Sequence, residues 1–271
     1  MADARTITQE LESAYHAYID VFNREDADGF VNCFCYPHAM LTGDHGMLTT
    51  KTAADQQRFH QKTMTDLHAR GWGRSGVDRL QVWPLSDSFV LIAADITRYK
   101  KDNSILEQGR YGYTLRRDSG TWKIVTMMAM PPGAPTIVQE LETFYRGFLD
   151  GFNREDTDMY LRSFSYPNAT LSGEQGLTLR TKESEQQRFY QEIMVAIQAR
   201  GWDHTSLGSF RAWPLGSTLG LLVADIARCK KDNTVIEQGR YWYTIRKVDG
   251  SWKVLTLAEV KPPFTGPELT T

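Results

Sequence analysis

Sliding the chain against itself by 130 positions lays Phe22–Asp26 (FNRED) on Phe152–Asp156, with the same five letters. The match runs without a gap from Ile7–Pro132 onto Ile137–Pro262. Solenoid repeats are about 20–50 residues long, so a period of this size is a duplicated domain rather than an array. A chain of 271 residues has room for two ordinary domains, each with its own core. The expected boundaries are 1–133 and 134–271. The link PPGAPTI (Pro131–Ile137) is short and proline-rich. It predicts two copies packed as an intramolecular pseudo-dimer about an approximate two-fold axis, with the chain a monomer.

Periodicity supplies the elements of each copy. Ile7, Leu11, Tyr15, Tyr18, Ile19 and Phe22 form one helical stripe. FNRED then reads as punctuation: Asn23 suits a left-handed helix end and Asp26 caps a short second helix with Phe30 and Phe34 inward. Tyr36–Pro37 is expected to stop that helix. Short strands flank Gly43–Gly46, and a third helix over roughly 52–70 ends at Gly71. Four strand-like runs follow, near 77–85, 89–99, 105–116 and 122–130, with KKDNS and RRDSGT as turns. Helices gathered on one face of an antiparallel sheet define an α+β domain.

Composition narrows the function classes. Apolar residues are 41% and charged residues 24%, with a net charge of −2. Neither nucleic acid nor an anionic membrane is an expected partner. No signal-like N-terminus and no run of membrane-spanning length is present, and the three cysteines are too scattered for a disulfide framework. A reduced, cytoplasmic protein is expected.

Few residues suit chemistry. With Asp102–Asn103 as a two-residue turn, Asp95 faces Arg110 and Arg98 faces Glu107 on opposite sheet faces, and copy two repeats both as Asp225–Arg240 and Arg228–Glu237. These are register-fixing ion pairs, or Asp95–Arg110 is the polar floor of a pocket. Tyr111 and Tyr113 (Tyr241 and Tyr243 in copy two) are aromatic core or hydrogen-bond donors to a carbonyl or enolate. No histidine is shared: His38 aligns with Asn168 and His60 with Tyr190. A metal site common to both copies is therefore not expected, nor is any cofactor. His38 is a candidate general base in copy one alone. Trp72, Trp83 and Trp122 recur as Trp202, Trp213 and Trp252 and read as core and interface anchors, with a pocket wall as the other reading.

The pattern FN..DxDxF…F.YP, a third helix ending ARGW, a strand carrying ADI.R and a final G.WK[IV] together resemble the nuclear transport factor 2-like superfamily. That group includes ketosteroid isomerase, SnoaL-like polyketide cyclases and limonene epoxide hydrolase. The resemblance covers both copies and implies two tandem cone-shaped, cystatin-like domains, each of three helices on a curved antiparallel sheet, with an apolar pocket at the open end. It places Tyr18 where the isomerase has its oxyanion donor, against Phe148 in copy two. The isomerase base falls near Thr42 and Ser172, so Asp44 and Glu174 are its possible substitutes. The Asp-Arg-Asp set of the hydrolase is not matched.

Two function classes stand at this stage. One is a cofactor-independent acid/base enzyme, an isomerase, lyase (dehydratase) or cyclase of SnoaL-like kind, acting on a small, largely apolar molecule in the cone. The other is a non-catalytic module binding a small ligand or a protein. Divergence at Tyr18/Phe148, His38/Asn168 and Gly112/Trp242 predicts copy one as the working site and copy two as scaffold, with Trp242 filling the second pocket if it points inward.

Overall fold

A computed structural model describes residues 4–130, 137–172 and 175–260; most of the proline-rich link, and Glu174, lie outside these. Copy one runs α1 (Ala4–Asn23), α2 (Ala27–Asn32), β1 (Phe34–Thr42), β2 (Gly46–Thr50), α3 (Ala53–Ala69), β3 (Trp72–Ser86), β4 (Phe89–Lys100), β5 (Ile105–Asp118) and β6 (Thr121–Met130). Copy two repeats the order as α4 (Val138–Asn153), α5 (Thr157–Arg162), β7 (Phe164–Ser172), β8 (Gly176–Arg180), α6 (Glu183–Gln198), β9 (His204–Pro214), β10 (Leu219–Cys229), β11 (Val235–Val248) and β12 (Ser251–Val260). None of the described helices is long and apolar enough to cross a membrane.

FNRED is punctuation with a second task. Asp26 caps α2 by accepting from the Gly29 N–H at 2.9 Å, and Asp156 does the same for Met159 at 2.9 Å. The left-handed residue is Glu25 (φ 55°), matched by Glu155 (φ 56°), rather than Asn23. Asn23 instead clamps α1 to β3: its Oδ1 accepts from Ser75 N at 2.8 Å and its Nδ2 donates to Ser75 O at 2.9 Å. Asn153 holds Thr205 in the same way. A side-chain amide that pairs with a backbone N–H and C=O completes both groups at once. The second helix is shorter than expected. Phe34 opens β1, and Tyr36–Pro37 sits inside that strand, where the pairing with β6 breaks between Phe34 and Ala39. Proline cannot donate to a ladder, which places it at such an irregularity.

Each copy forms one six-stranded sheet, in the orders β2-β1-β6-β5-β4-β3 and β8-β7-β12-β11-β10-β9. All neighbours are antiparallel except β1 with β6 and β7 with β12, which run parallel. The hairpin register is the expected one at Asp95, opposite Arg110, and at Arg98, opposite Glu107, but it shifts between Arg98 and Tyr99, so that Tyr99 faces Ile105 and the turn is not the two-residue Asp102–Asn103 turn expected.

Both faces of each sheet are buried. Alternate residues of β4, from Val90 and Ile92 to Ala94 and Ile96, join Leu11, Tyr15, Tyr18, Phe22 and Met64 beneath the helices. The intervening Phe89 and Leu91 belong to a second cluster shared by the two copies, in which Ala39, Leu41, Val125 and Met128 meet Leu171, Leu221, Val223, Trp242 and Leu255. The copies thus pack sheet against sheet. Their contacts come in exchanged pairs: Arg246 fills the space a Cβ would need at Gly46, and Arg116 does so at Gly176. Exchange of the copies maps one contact onto the other, which is the signature of an approximate two-fold axis.

Candidate functional site: the helix-covered interior of each cone

Because side chains alternate along a strand, the two hairpin ion pairs lie on different sides of the sheet. Arg98 and Glu107 are on the helix side, with Arg70 as the second partner of Glu107. Asp95 and Arg110 are on the inter-copy side, at its rim. Arg110 donates from Nε to Asp95 Oδ1 at 2.5 Å and from Nη2 to Oδ2 at 2.8 Å. The Arg110 hydrogen bonds hold the Asp95 carboxyl below its ordinary range. Asp225–Arg240 repeats the pair at 2.6 and 2.9 Å, with Ser209 as an added donor to Asp225.

Asp95, Arg110, Asp225 and Arg240 therefore do not form a cone floor. The reasoning that Asp95 shares a face with Leu91 and Ala93 holds, but that apolar face is the one the other copy covers. Half of the Arg110 side chain is exposed, so the pair is screened. Asp95→Asn is expected to lower stability by less than about 1 kcal/mol and to leave ligand binding unchanged, as read by urea unfolding and titration of the same sample.

Trp242 also faces the partner copy. Its ring stacks on Trp213 at 5.8 Å in the shared cluster, so it fills an interface and not the second cone. Asp44 stands exposed in the β1–β2 turn, where its carbonyl accepts from Arg246 of copy two at 3.3 Å. It is not beside the cone groups, and Glu174 lies outside the described residues. Trp72 is buried against Phe22, donating to Ser75 Oγ at 3.2 Å.

Tyr18, His38, Tyr111 and Tyr113 are brought to the helix side. Tyr15, Tyr18 and Tyr113 form one cluster with centroids 5.2–6.0 Å apart, in which Tyr113 meets the other two rings edge-on. Arg98 reaches over Tyr111 at 5.5 Å. Burial raises the pKa of Tyr15, Tyr18 and Tyr113, so these phenols stay protonated.

At the other end of the aromatic cluster, across Phe30 and Phe34, β1, β2 and α3 converge on a polar group. His38 Nδ1 lies 3.1 Å from Thr50 Oγ1, and Thr50 donates to Gln56 Oε1 at 2.8 Å. With the Thr50 proton directed at Gln56, the remaining hydrogen bond is donated by His38 Nδ1–H, and His38 Nε2 is left with a bare lone pair. Burial drives the His38 pKa down to about 3, with Gln56 partly offsetting it. The ring is neutral. His60 stacks on Phe30 at 4.2 Å, and Phe34 meets His38 edge-on at 4.6 Å. His38 Nε2, Gln56 Nε2 and His60 Nε2 are buried without a hydrogen-bond partner among the described residues. Native proteins rarely leave such atoms unpaired, and three in one place call for a reason. A groove of about 440 Å³ between the copies, with Arg116, Asp118 and Lys123 on one wall and Gln175 on the other, abuts the same Phe34. Among the described residues no three His, Cys, Asp or Glu side chains are grouped to hold a metal.

The model of a family described as NTF2-like proteins (DUF6841) matches the chain twice, at residues 9–132 and 139–262. The chain belongs to this NTF2-like family. The two matches are the two structural repeats, and each cone is one NTF2-like, cystatin-like domain. Solved structures similar to it each cover about one copy. An NTF2-like protein of unknown function from Shewanella oneidensis MR-1 is 11% identical over 45% of this chain and 97% of its own, with a TM-score of 0.37. A cystatin-like protein of unknown function from Nostoc punctiforme is 15% identical over 47% and 93%, with a TM-score of 0.39. An NTF2-like protein from Novosphingobium aromaticivorans is 14% identical over 52% and 97%, with a TM-score of 0.39. No functionally curated protein matches the chain.

Sequence reasoning singled out His38 but missed Thr50 and Gln56. A signal existed, since Thr50 and His60 differ from their mates Arg180 and Tyr190. The placement of β2 beside β1 brings these two differing positions to the wall that carries His38.

Proposed function

We propose that this NTF2-like protein binds a small, uncharged, hydroxyl-bearing apolar molecule in the cone of copy one. The observation that carries this reading is the set of buried, unpartnered atoms beside a neutral imidazole. His38 Nε2 accepts and Gln56 Nε2 donates, so a single hydroxyl of a ligand answers both. The surrounding Phe30, Phe34 and Tyr18 rings suit an aromatic or alicyclic body. A charged ligand is disfavoured, because no ionised side chain of the described residues joins the His38–Thr50–Gln56 group and burial penalises an unpaired charge.

An acid/base isomerase, lyase or cyclase of SnoaL-like kind is the second reading. The oriented lone pair of His38 favours it. Against it stand the low proton affinity of that lone pair and the position of Asp95 on the other side of the sheet.

The test compares 2-naphthol with 2-methoxynaphthalene, which lacks the hydroxyl proton. At ten times its Kd, 2-naphthol is expected to raise the melting temperature by about 2–3 °C. The ether is expected to do less, and His38→Asn is expected to abolish the difference while Asp95→Asn preserves it. Equal effects of the two compounds, no effect of either, or a difference that survives His38→Asn would each refute the reading.

A further inference from the structure

The wall that is neutral in copy one is cationic in copy two. The residues matching His38, Thr50, Gln56 and His60 are Asn168, Arg180, Gln186 and Tyr190. Asn168 and Arg180 are direct cross-strand partners on β7 and β8, and the inter-copy residues Ala169, Leu171 and Leu177 alternate with them, so both point beneath the helices. Gln186 and Tyr190 are one turn apart on α6 and face the same space. Tyr160 sits among them, stacked on Tyr190 at 4.3 Å and accepting from Gln186 Nε2 at 3.3 Å.

Arg180 is only 8% exposed. Its Nη1 donates to Thr170 Oγ1 at 2.8 Å, and the guanidinium lies 3.7 Å over the Phe189 ring. No carboxylate of the described residues pairs with it. Glu185 and Glu192 act on it only at longer range, and both are exposed on α6. A buried guanidinium ordinarily has an anionic partner, because an uncompensated buried charge is strongly unfavourable. The neighbouring orphans are of complementary type. Asn168 Nδ2 and the Tyr190 hydroxyl are buried without a partner among the described residues, and both donate. Gln186 Oε1 is an orphan acceptor beside them among the same residues. The same amide turned over accepts from the Tyr160 hydroxyl and presents a third donor.

We propose that the cone of copy two is a second ligand site, which takes a small carboxylate with an apolar, ring-sized body, its carboxylate held by Arg180, Asn168 and Tyr190. The planar guanidinium fork matches a carboxylate, and three donors around one anion exceed what a neutral ligand can answer. Phe148, Phe164 and Tyr160 form the aromatic bed for the body. Copy two is therefore not a scaffold emptied of function. The duplication has yielded two sites of different charge preference in one chain.

The experiment titrates the full chain, at constant ionic strength, with benzoate, phenylacetate and cyclohexanecarboxylate, each beside its primary amide. At least one acid is expected to bind on the order of tenfold tighter than its amide. Arg180→Met, which keeps an unbranched apolar stem, is expected to abolish that preference. Tyr190→Phe removes one donor and little volume, and is expected to weaken the acid several-fold without affecting the amide; it decides the matter if Arg180→Met does not fold. His38→Asn leaves acid binding unchanged, and Arg180→Met leaves 2-naphthol binding unchanged, so the two sites succeed or fail separately. No preference for any of the three acids, or a preference that survives Arg180→Met or is untouched by Tyr190→Phe, overturns the proposal.

Discussion

Trp242→Gly, which installs the residue copy one carries at the matching position, is expected to cost about 3–5 kcal/mol of stability, because truncating a buried ring loses its transfer free energy and leaves a cavity. The ring is 5% exposed and stacked on Trp213 in the cluster that joins the copies. Glycine in a strand interior adds a further loss of about 0.5–1 kcal/mol. Against this, the indole N–H is buried without a partner among the described residues, so its removal recovers a little. Urea unfolding of the variant should show one cooperative transition at a much lower midpoint, since the damaged cluster belongs to both copies. A loss under about 1 kcal/mol together with a new affinity in copy two would mean that the ring lines a pocket and not the interface.

Acid is the second strong lever. His38 has a pKa of about 3 in the fold, against 6.5 for an ordinary histidine. Between those values the unfolded chain binds a proton that the folded chain refuses, so stability rises with pH across this window. The contribution is complete above about pH 6.5 and is lost progressively as pH falls toward 3. The slope approaches about 1.4 kcal/mol per pH unit for each such group. His60, whose pKa burial also lowers, acts in the same direction. Glutamates of the unfolded chain begin to titrate toward the lower end of the interval from about pH 6.5 to 4.5, so it is the difference between the protein and its His38→Asn variant that isolates this histidine. Over that interval His38 alone should account for about 2 kcal/mol, and His38→Asn should flatten the stability profile by that amount. An unchanged profile in the variant would show that His38 is protonated, and hence solvated or paired, in the fold.

How much of this was legible beforehand differs by level. The helix α1, the capping aspartates, Gly71 and the pairing of Asp95 with Arg110 and of Arg98 with Glu107 all follow from local rules, and the structure has them; the two-residue turn does not hold, since the register shifts at Tyr99. Local rules failed where two needs competed. Phe34 continues the apolar spacing of α2 but opens β1, because the ladder with β6 claims it. Asn23 was read as a helix end, yet its amide serves a strand fifty-two positions away.

The candidate site was legible in part. His38 and Tyr18 stood out because the copies disagree there, and alternation correctly separated Asp95 from Arg98. Which side of the sheet faces the helices was not legible. A sheet that is apolar on one side declares its inside, whereas here Ile92 beneath the helices and Leu91 beneath the other copy are equally buried. Only packing assigns them. It sent Trp242 to the seam between the copies, put Asp95 and Arg110 at the rim of that side of the sheet and turned Arg98 and Glu107 to the helix side.

By itself, then, the sequence determined that one domain is written twice, that each copy is α+β with helices, a short hairpin and a meander in that order, and where most elements begin and end. These properties depend on residues near each other in the chain, or on identity at a constant offset. Tertiary structure alone decided which face of each sheet is a cone interior and which is an interface. It folded α3 against the β1–β2 hairpin, so that His38, Thr50 and Gln56 make one group and Asn168, Arg180 and Tyr190 another. Those decisions rest on packing between elements, and on burial, which shifts the charge state of His38 and leaves Arg180 without a carboxylate partner among the described residues.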